Sequence, residues 1–214
     1  MARMTASDEL DDTRRLETLW GGAFGDAWTD RNIDNMYGIR KPVWDAMIAR
    51  MTPAPQRVLE VGVNVGGNLR WIAPELTAGN AYGVDLNRHA LNLIHDYVPE
   101  ANVLVASVTD LPFKDAFFDL VFSVGVLVAI PDESVGRAMI EMARCSSRYV
   151  LFVEMYAEEL TVIDHREIHR GLFKRDYEKA FPAAVPGVPL VGHGYLSKEE
   201  GFDSLDWWLF DKQA

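Results

Sequence analysis

The chain has 214 residues, 49% of them hydrophobic and 25% charged, with a formal net charge of −11. That length and composition fit one globular domain with a full core, and the acidity argues against a general affinity for nucleic-acid backbone, which needs a basic footprint. The single Cys145 excludes an intrachain disulfide and a cysteine-built structural zinc site, and no apolar run approaches the ~20 residues of a bilayer span.

Residues 1–15, MARMTASDELDDTRR, are polar and acidic, with no apolar stretch of the kind a secretory signal carries. They are expected to be frayed, and the protein to be cytoplasmic and away from membranes. Residues 16–32, LETLWGGAFGDAWTDRN, set Trp20, Phe24 and Trp28 beside Arg31 and Asn32. Two readings stand for this segment: helices lying over a ligand, or aromatics packing a helix on a sheet. Residues 37–51 read as a helix with Val43, Met47 and Ile48 on one face, ended by Thr52-Pro53. Residues 16–52 thus form an N-terminal helical cap.

Residues 57–156 read as the core. In VLEVGVNVGGNLRWI, residues 58–72, a short apolar run carries Glu60, turns through Gly62, Gly66 and Gly67, and gives way at Leu69 and Ile72 to helical spacing. The pattern predicts strand, tight loop, helix. A second strand, AYGVDLN at 81–87, ends in Asp85, 19 residues beyond Gly66. An acid at that strand tip is where a parallel α/β sheet holds a ribose. Residues 90–97 read as a helix, 101–108 as the third strand and 109–119 as a loop. The fourth strand lies within 119–130, a helix runs from Pro131-Asp132 to about Ser146, and the fifth strand spans 148–156. The alternation implies a doubly wound, mostly parallel sheet.

Two details choose among nucleosides. Asn64 stands where the second glycine of G-x-G-x-x-G would admit a pyrophosphate, and Glu60 sets a carboxylate where an ammonium fits better than a phosphate. S-adenosylmethionine has adenosine and an ammonium and no phosphate. At this point residues 58–69 resemble motif I of the class I methyltransferases, with Asp85 at the acidic position that follows it. Ser107-Val108 and the TDLPF loop resemble the segment flanking the adenine, and FDLVFSVGVL at 118–127 resembles motif IV. The resemblance implies a Rossmann-like, seven-stranded α/β fold that binds S-adenosylmethionine. It implies cofactor contacts from Glu60, Gly62, Asn64, Gly66, Asn68, Leu69, Asp85, Leu86, Ser107, Val108, Ser123 and Val124. From the cap it adds Trp28, Arg31 and Asn32.

A finer resemblance covers residues 20–212 and is to the methylases associated with pseudaminic acid biosynthesis. It rests on FGDAWTDRN, GVNVGGNL, GVLVAIPDE, VEMY, LFKRDY and DWWLFDK. That family's pattern has a histidine in GVLIHI where this chain has Ala129, so a base supplied there is missing here.

Residues 157–214 read as the acceptor side. IDHREIHRGLFKRDY, residues 163–177, reverses the local charge, and Arg166, Arg170 and Lys174 fall at i, i+4, i+8 of an expected helix within 160–180. They read either as a grip for an anionic acceptor or as a solvated helix face. His165 and His169 are the candidate bases, with packing or surface roles as the alternative, and no third ligand suggests a metal. Glu154 and Tyr156 stand at the fifth strand's tip as further catalytic candidates, Tyr156 also as an acceptor contact. A Pro-rich connector at 182–189 precedes two strands, 190–196 and 205–210. His193 reads as structural, and one of Trp207 and Trp208 is expected in the core. The expected function is O- or N-methylation of a small, anionic metabolite: a sugar, a sugar nucleotide or an amino-acid-like intermediate. The alternative is a nicotinamide oxidoreductase or a non-catalytic nucleoside-binding protein. The expected partner is a small-molecule acceptor rather than nucleic acid, with homodimerisation left open.

Overall fold

The computed structural model describes residues 6–33, 40–166 and 168–214. Five strands come first, with helices between all but β3 and β4, which a loop joins: β1 (Val58–Val61), β2 (Ala81–Asp85), β3 (Asn102–Val105), β4 (Phe118–Val124) and β5 (Ser146–Glu154). Two more, β8 (Leu190–Leu196) and β9 (Leu205–Asp211), complete one seven-stranded sheet in the order β3-β2-β1-β4-β5-β9-β8. Pairing is parallel from β3 to β5, and β9 then runs antiparallel to both neighbours.

Both faces of this sheet are covered, and period-2 alternation sorts side chains between them. Tyr149, Leu151 and Val153 of β5 join Trp207 and Leu209 under α3 (Lys41–Ile48) and α4 (Leu69–Ile72). Val150, Phe152, Trp208 and Phe210 face α6 (Asp132–Cys145) and α7 (Tyr177–Ala184). Trp207 and Trp208 are therefore both buried, at 7% and 1% exposure, where only one was expected in the core. A sheet packed on both sides has a core position for every residue of an inner strand. Arg148 and Asp211 lock β5 to β9 through paired bonds of 3.0 Å.

Helix α1 (Ala6–Trp20) begins inside the stretch expected to be frayed; its inner side carries Leu16, which is fully buried. Helix α2 (Ala23–Asn32) follows after the Gly21-Gly22 turn. The helix expected over 37–51 is observed as Lys41–Ile48, and residues 34–39 lie outside the described ones. The helix predicted at 90–97 comprises α5 (Arg88–Leu93) and a following single turn.

The largest departure is at 160–174. This segment is an antiparallel hairpin, β6 (Thr161–His165) and β7 (Ile168–Lys174), in place of the expected helix. The β-branched run Thr161-Val162-Ile163 favours strand, and Ile168 and Phe173 bury against Leu16 of α1. Arg166 and Arg170 sit at positive φ (55° and 50°), so no helical face joins them to Lys174.

Candidate functional site

A crevice of about 310 Å³ opens at the C-terminal ends of β1, β2 and β4, where the strand order reverses. That is the position at which open α/β sheets bind ligands. Its floor includes Glu60, Gly62, Asp85, Val124 and Val126, and its roof is made by α1, α2 and the β6–β7 hairpin through Leu16, Trp20, Trp28, His165 and Leu172.

The glycine-rich loop is bound tightly to its neighbours. Gly62 N–H and Val63 N–H both donate to Val84 O, at 2.8 and 3.0 Å, so the loop is fastened to β2. Gly62 is at φ +68°, and a Cβ there would lie 2.2 Å from Val126 Cγ2. A side chain at Gly62 is thus excluded by the loop after β4 as well as by backbone conformation. The amides of Asn64 and Leu69 donate to Asp85 and Glu60, and that of Val65 to Asn64 Oδ1. These bonds use the amides of Gly62, Val63, Asn64, Val65 and Leu69 within the protein.

Asp85 accepts from Asn64 N–H and Asn87 N–H, each at 2.8 Å, which fixes the carboxylate at the tip of β2. Burial raises its pKa, and these N–H donors oppose the rise. Three polar bonds tie this side of the crevice to the cap. Asn64 Nδ2 donates to Thr29 Oγ1 (2.9 Å), Asn87 Nδ2 to Asp26 Oδ1 (2.8 Å), and Ser107 Oγ to Glu17 Oε1 (2.5 Å).

At the other end, Glu60 is 1% exposed and accepts from Asn68 Nδ2 and Leu69 N–H, both at 2.9 Å. Burial pushes its carboxyl up to about 8 despite those donors and the nearby Arg40. Arg40 donates to Asn68 Oδ1 and Gly201 O, each at 2.7 Å, and lies over the Phe202 ring at 4.6 Å. A half-buried guanidinium and a buried carboxyl thus line one end of the crevice together. No local pattern marked Arg40 in the sequence, because its partners are remote from it.

Glu154 is not open to the crevice. Its carboxylate accepts from Ser123 Oγ (2.8 Å) and from the N–H groups of Val126, Leu127 and Val128 at 3.1–3.2 Å. Arg175 donates to Leu127 O and Ile130 O at 2.9 and 3.0 Å. The two charges hold the single turn Leu127–Ala129 that follows β4. Glu154 and Ser123 therefore shape the crevice wall from behind instead of lining it.

Of the other expected residues, Asn32, Asn68, Leu86 and Val108 line the crevice. Gly66 packs toward Ile94 and Val98, and Leu69 is wholly in the core, while Gly67 lines the crevice instead. Arg31 and Tyr156 are not among the lining residues, and Tyr156 packs its ring 6.2 Å from Trp208. His169 is exposed and paired with Asp164 at 3.0 Å. His165 does line the crevice, its ring 5.7 Å from that of Trp28, and burial followed by the Arg166 charge lowers its pKa. The three basic residues do not converge on the crevice. Arg166 lies 5.5 Å over Trp28, Arg170 faces Asp12 at 3.4 Å, and Lys174 pairs across the hairpin with Thr161.

A family described as "Methyltransferase domain" matches residues 58–148. The chain is 27% identical over 158 residues to Arabidopsis thaliana 24-methylenesterol C-methyltransferase 2, covering 69% of this chain and 42% of that relative's length. Among solved structures it is similar to Burkholderia thailandensis 1,6-didemethyltoxoflavin-N1-methyltransferase with bound S-adenosylhomocysteine. The TM-score is 0.69 at 15% identity, over 99% of this chain and 92% of that one. It is also similar to magnesium protoporphyrin IX methyltransferase from Synechocystis PCC 6803 with bound SAM, at TM-score 0.66 and 16% identity, over 98% and 100% of the two chains. The family match covers residues 58–148 of this chain, and the two solved structures share its fold.

Proposed function

We propose that this protein is an S-adenosylmethionine-dependent methyltransferase of a small molecule, acting at oxygen or nitrogen. The observation that carries the reading is one crevice lined by both the fixed Asp85 carboxylate and the Arg40 and Glu60 side chains. That set of groups fits the ribose hydroxyls and the amino-acid end of the cofactor. Asp85 accepts from the hydroxyls, Glu60 faces the ammonium, and the remaining N–H groups of Arg40 meet the carboxylate. A desolvated carboxyl at about 8 is one whose ionised form a neighbouring cation favours.

When bound, S-adenosylmethionine supplies an electrophilic methyl group and leaves as a thioether. The chain's contribution is to align the acceptor in a covered site and to receive its proton. His165 is the residue for the proton, because it lines the crevice and its depressed pKa leaves the imidazole neutral at neutral pH. The finer kinship with pseudaminic-acid-associated methylases rests on the sequence segments given above. The anionic acceptor expected from Arg166, Arg170 and Lys174 loses its anchor, since none of them lines the crevice.

Calorimetry tests the reading. Adenosylhomocysteine should bind with one-to-one stoichiometry and NAD should not. Tight NAD binding without adenosylhomocysteine binding would replace the methyltransferase with an oxidoreductase.

A further inference from the structure

The base of an adenosyl group held at Asp85 must lie to one side of that carboxylate, and the strand order says which. β1 carries Glu60, its neighbour β2 ends in Asp85, and the next strand, β3, leads into Ala106, Ser107 and Val108, all of which line the crevice. Ala106 N–H donates to Asp85 O at 3.2 Å, so the chain leaving β3 starts directly beside the β2 tip. With the amino-acid end of the cofactor on the β1 side, its base falls on the β3 side. We infer that Glu17 of α1 is a specificity-determining residue for that base: its carboxylate accepts from the 6-amino group of adenine and disfavours a base with a carbonyl there. The inference rests on the methyltransferase reading and supplies the partner of the cofactor's remaining end.

Thr13, Leu16, Glu17 and Trp20 recur at i, i+3, i+4 and i+7 of α1, one helical face, and all four line the crevice. Glu17 is thus turned inward from the roof. Its place is set by Ser107 Oγ, which donates to Glu17 Oε1 at 2.5 Å. A hydroxyl has one proton to give, so the same Ser107 Oγ accepts from Thr109 N–H at 3.1 Å and from Thr109 Oγ1 at 2.8 Å. The serine is therefore fixed as a donor to Glu17. This bond occupies one carboxylate oxygen, and among the described residues no donor meets the other.

The other carboxyl groups lining the crevice are already engaged. Glu60 accepts from Asn68 and Leu69, Asp85 is given to the ribose, and the Asp203 charge acts on Arg40. Glu17 is the carboxylate left for the β3 side. An ionised carboxylate only accepts, and adenine offers it an N–H₂ at the 6-position. Hypoxanthine sets a carbonyl oxygen at the same place, which a carboxylate repels. Leu16, Leu86 and Val108 supply apolar surface for the rest of the ring.

A residue that only fastened the roof would favour every base equally, whereas one that meets the 6-amino group changes the ratio between bases. Calorimetry with adenosylhomocysteine and S-inosylhomocysteine, its 6-oxo analogue, measures that ratio. The wild-type protein should bind adenosylhomocysteine at least about tenfold more tightly, the scale of a hydrogen bond to a charged group. In Glu17→Gln the amide can turn its N–H₂ toward the 6-oxo group, so the ratio should fall by about fivefold or more. Asp26→Ala removes a different roof bond, the one from Asn87, and should hold the ratio within about twofold of wild type even where both affinities drop. A wild-type ratio under about tenfold overturns the inference, as does a fall of less than about fivefold in Glu17→Gln. A fall of more than about twofold in Asp26→Ala assigns the selectivity to roof fastening and overturns it too. The wild-type comparison needs no variant, and Glu17→Ala, with the same expected fall, replaces a Glu17→Gln protein that fails to fold. Failure of adenosylhomocysteine to bind overturns the methyltransferase reading and this inference with it, whereas tight binding of both ligands at similar affinity overturns this inference alone.

Discussion

Glu154 and Arg175 grip opposite ends of one turn without bonding to each other. Glu154 accepts from its leading N–H groups, and Arg175 donates to the carbonyls of Leu127 and Ile130. The arrangement gives the N–H groups at the start of the turn an acceptor in Glu154 and two of its carbonyls a donor in Arg175. Arg175→Met should remove the charge-assisted bonds to Leu127 O and Ile130 O, costing about 1.5–3 kcal/mol in urea denaturation. Hydrogen exchange should quicken most over residues 126–130. A loss spread evenly over the sheet would contradict the local role.

Asp85→Asn keeps the shape of the β2 tip and removes the charge proposed to accept from the cofactor's ribose hydroxyls. Adenosylhomocysteine affinity should fall by about 1.5–3 kcal/mol, with little change in melting temperature beyond that of the freed Asn64 and Asn87 amides. Wild-type affinity in this variant would remove Asp85 from the cofactor site.

Gly62→Ala combines a left-handed backbone, φ +68°, with a Cβ 2.2 Å from Val126 Cγ2. Strain and overpacking together should cost about 2–4 kcal/mol. Adding Val126→Ala should return the overpacking part and leave the backbone part. A double-mutant cycle with no coupling between these positions would show that the close approach is relieved in another way.

Glu60 predicts a pH dependence with a definite sign. Its folded value, about 8, lies above the ordinary 4.5, so the native state holds a proton that the unfolded chain releases. Its contribution is therefore full below 4.5 and is lost as pH rises toward about 8. Urea titrations across that window should show a shallower slope in Glu60→Gln than in the wild type. The variant starts from a lower baseline, because its amide N–H₂ faces the Asn68 Nδ2 that Arg40 holds in place. A cationic ligand end beside Glu60 should favour ionisation, so adenosylhomocysteine binding below pH 8 should release protons to buffer. Identical slopes in the two proteins would show that Glu60 titrates normally.

The alternation of strands and helices was legible because buried parallel strands leave short, nearly continuous apolar runs between turn residues. The predicted 190–196 strand coincides with β8. Asp85, Gly62 and Asn64 were legible as parts of the crevice because a strand tip and a tight loop mark themselves locally. The hairpin was not, because the spacing of Arg166, Arg170 and Lys174 mimics a helix face. What decides the conformation is the pairing of Val162 with Phe173 and the burial of Phe173 on α1. Arg40 escaped notice for a similar reason: its contacts are with Asn68 and Gly201, and spacing within one segment cannot reveal them.

The roof of the crevice has a core of its own. Leu16, Ile168 and Phe173, with Leu19, Trp20 and Phe24 packed around them, join the N-terminal helices to the β6–β7 hairpin, two parts of the chain outside the seven-stranded sheet. Three buried side chains and a few half-exposed bonds to Asn64, Asn87 and Ser107 make a far smaller cooperative unit than the two faces of the sheet. The roof should therefore detach at a free-energy cost well below that of global unfolding. Its amides would then report a sub-global opening in native-state hydrogen exchange, and a small molecule could enter and leave while the sheet beneath stays intact.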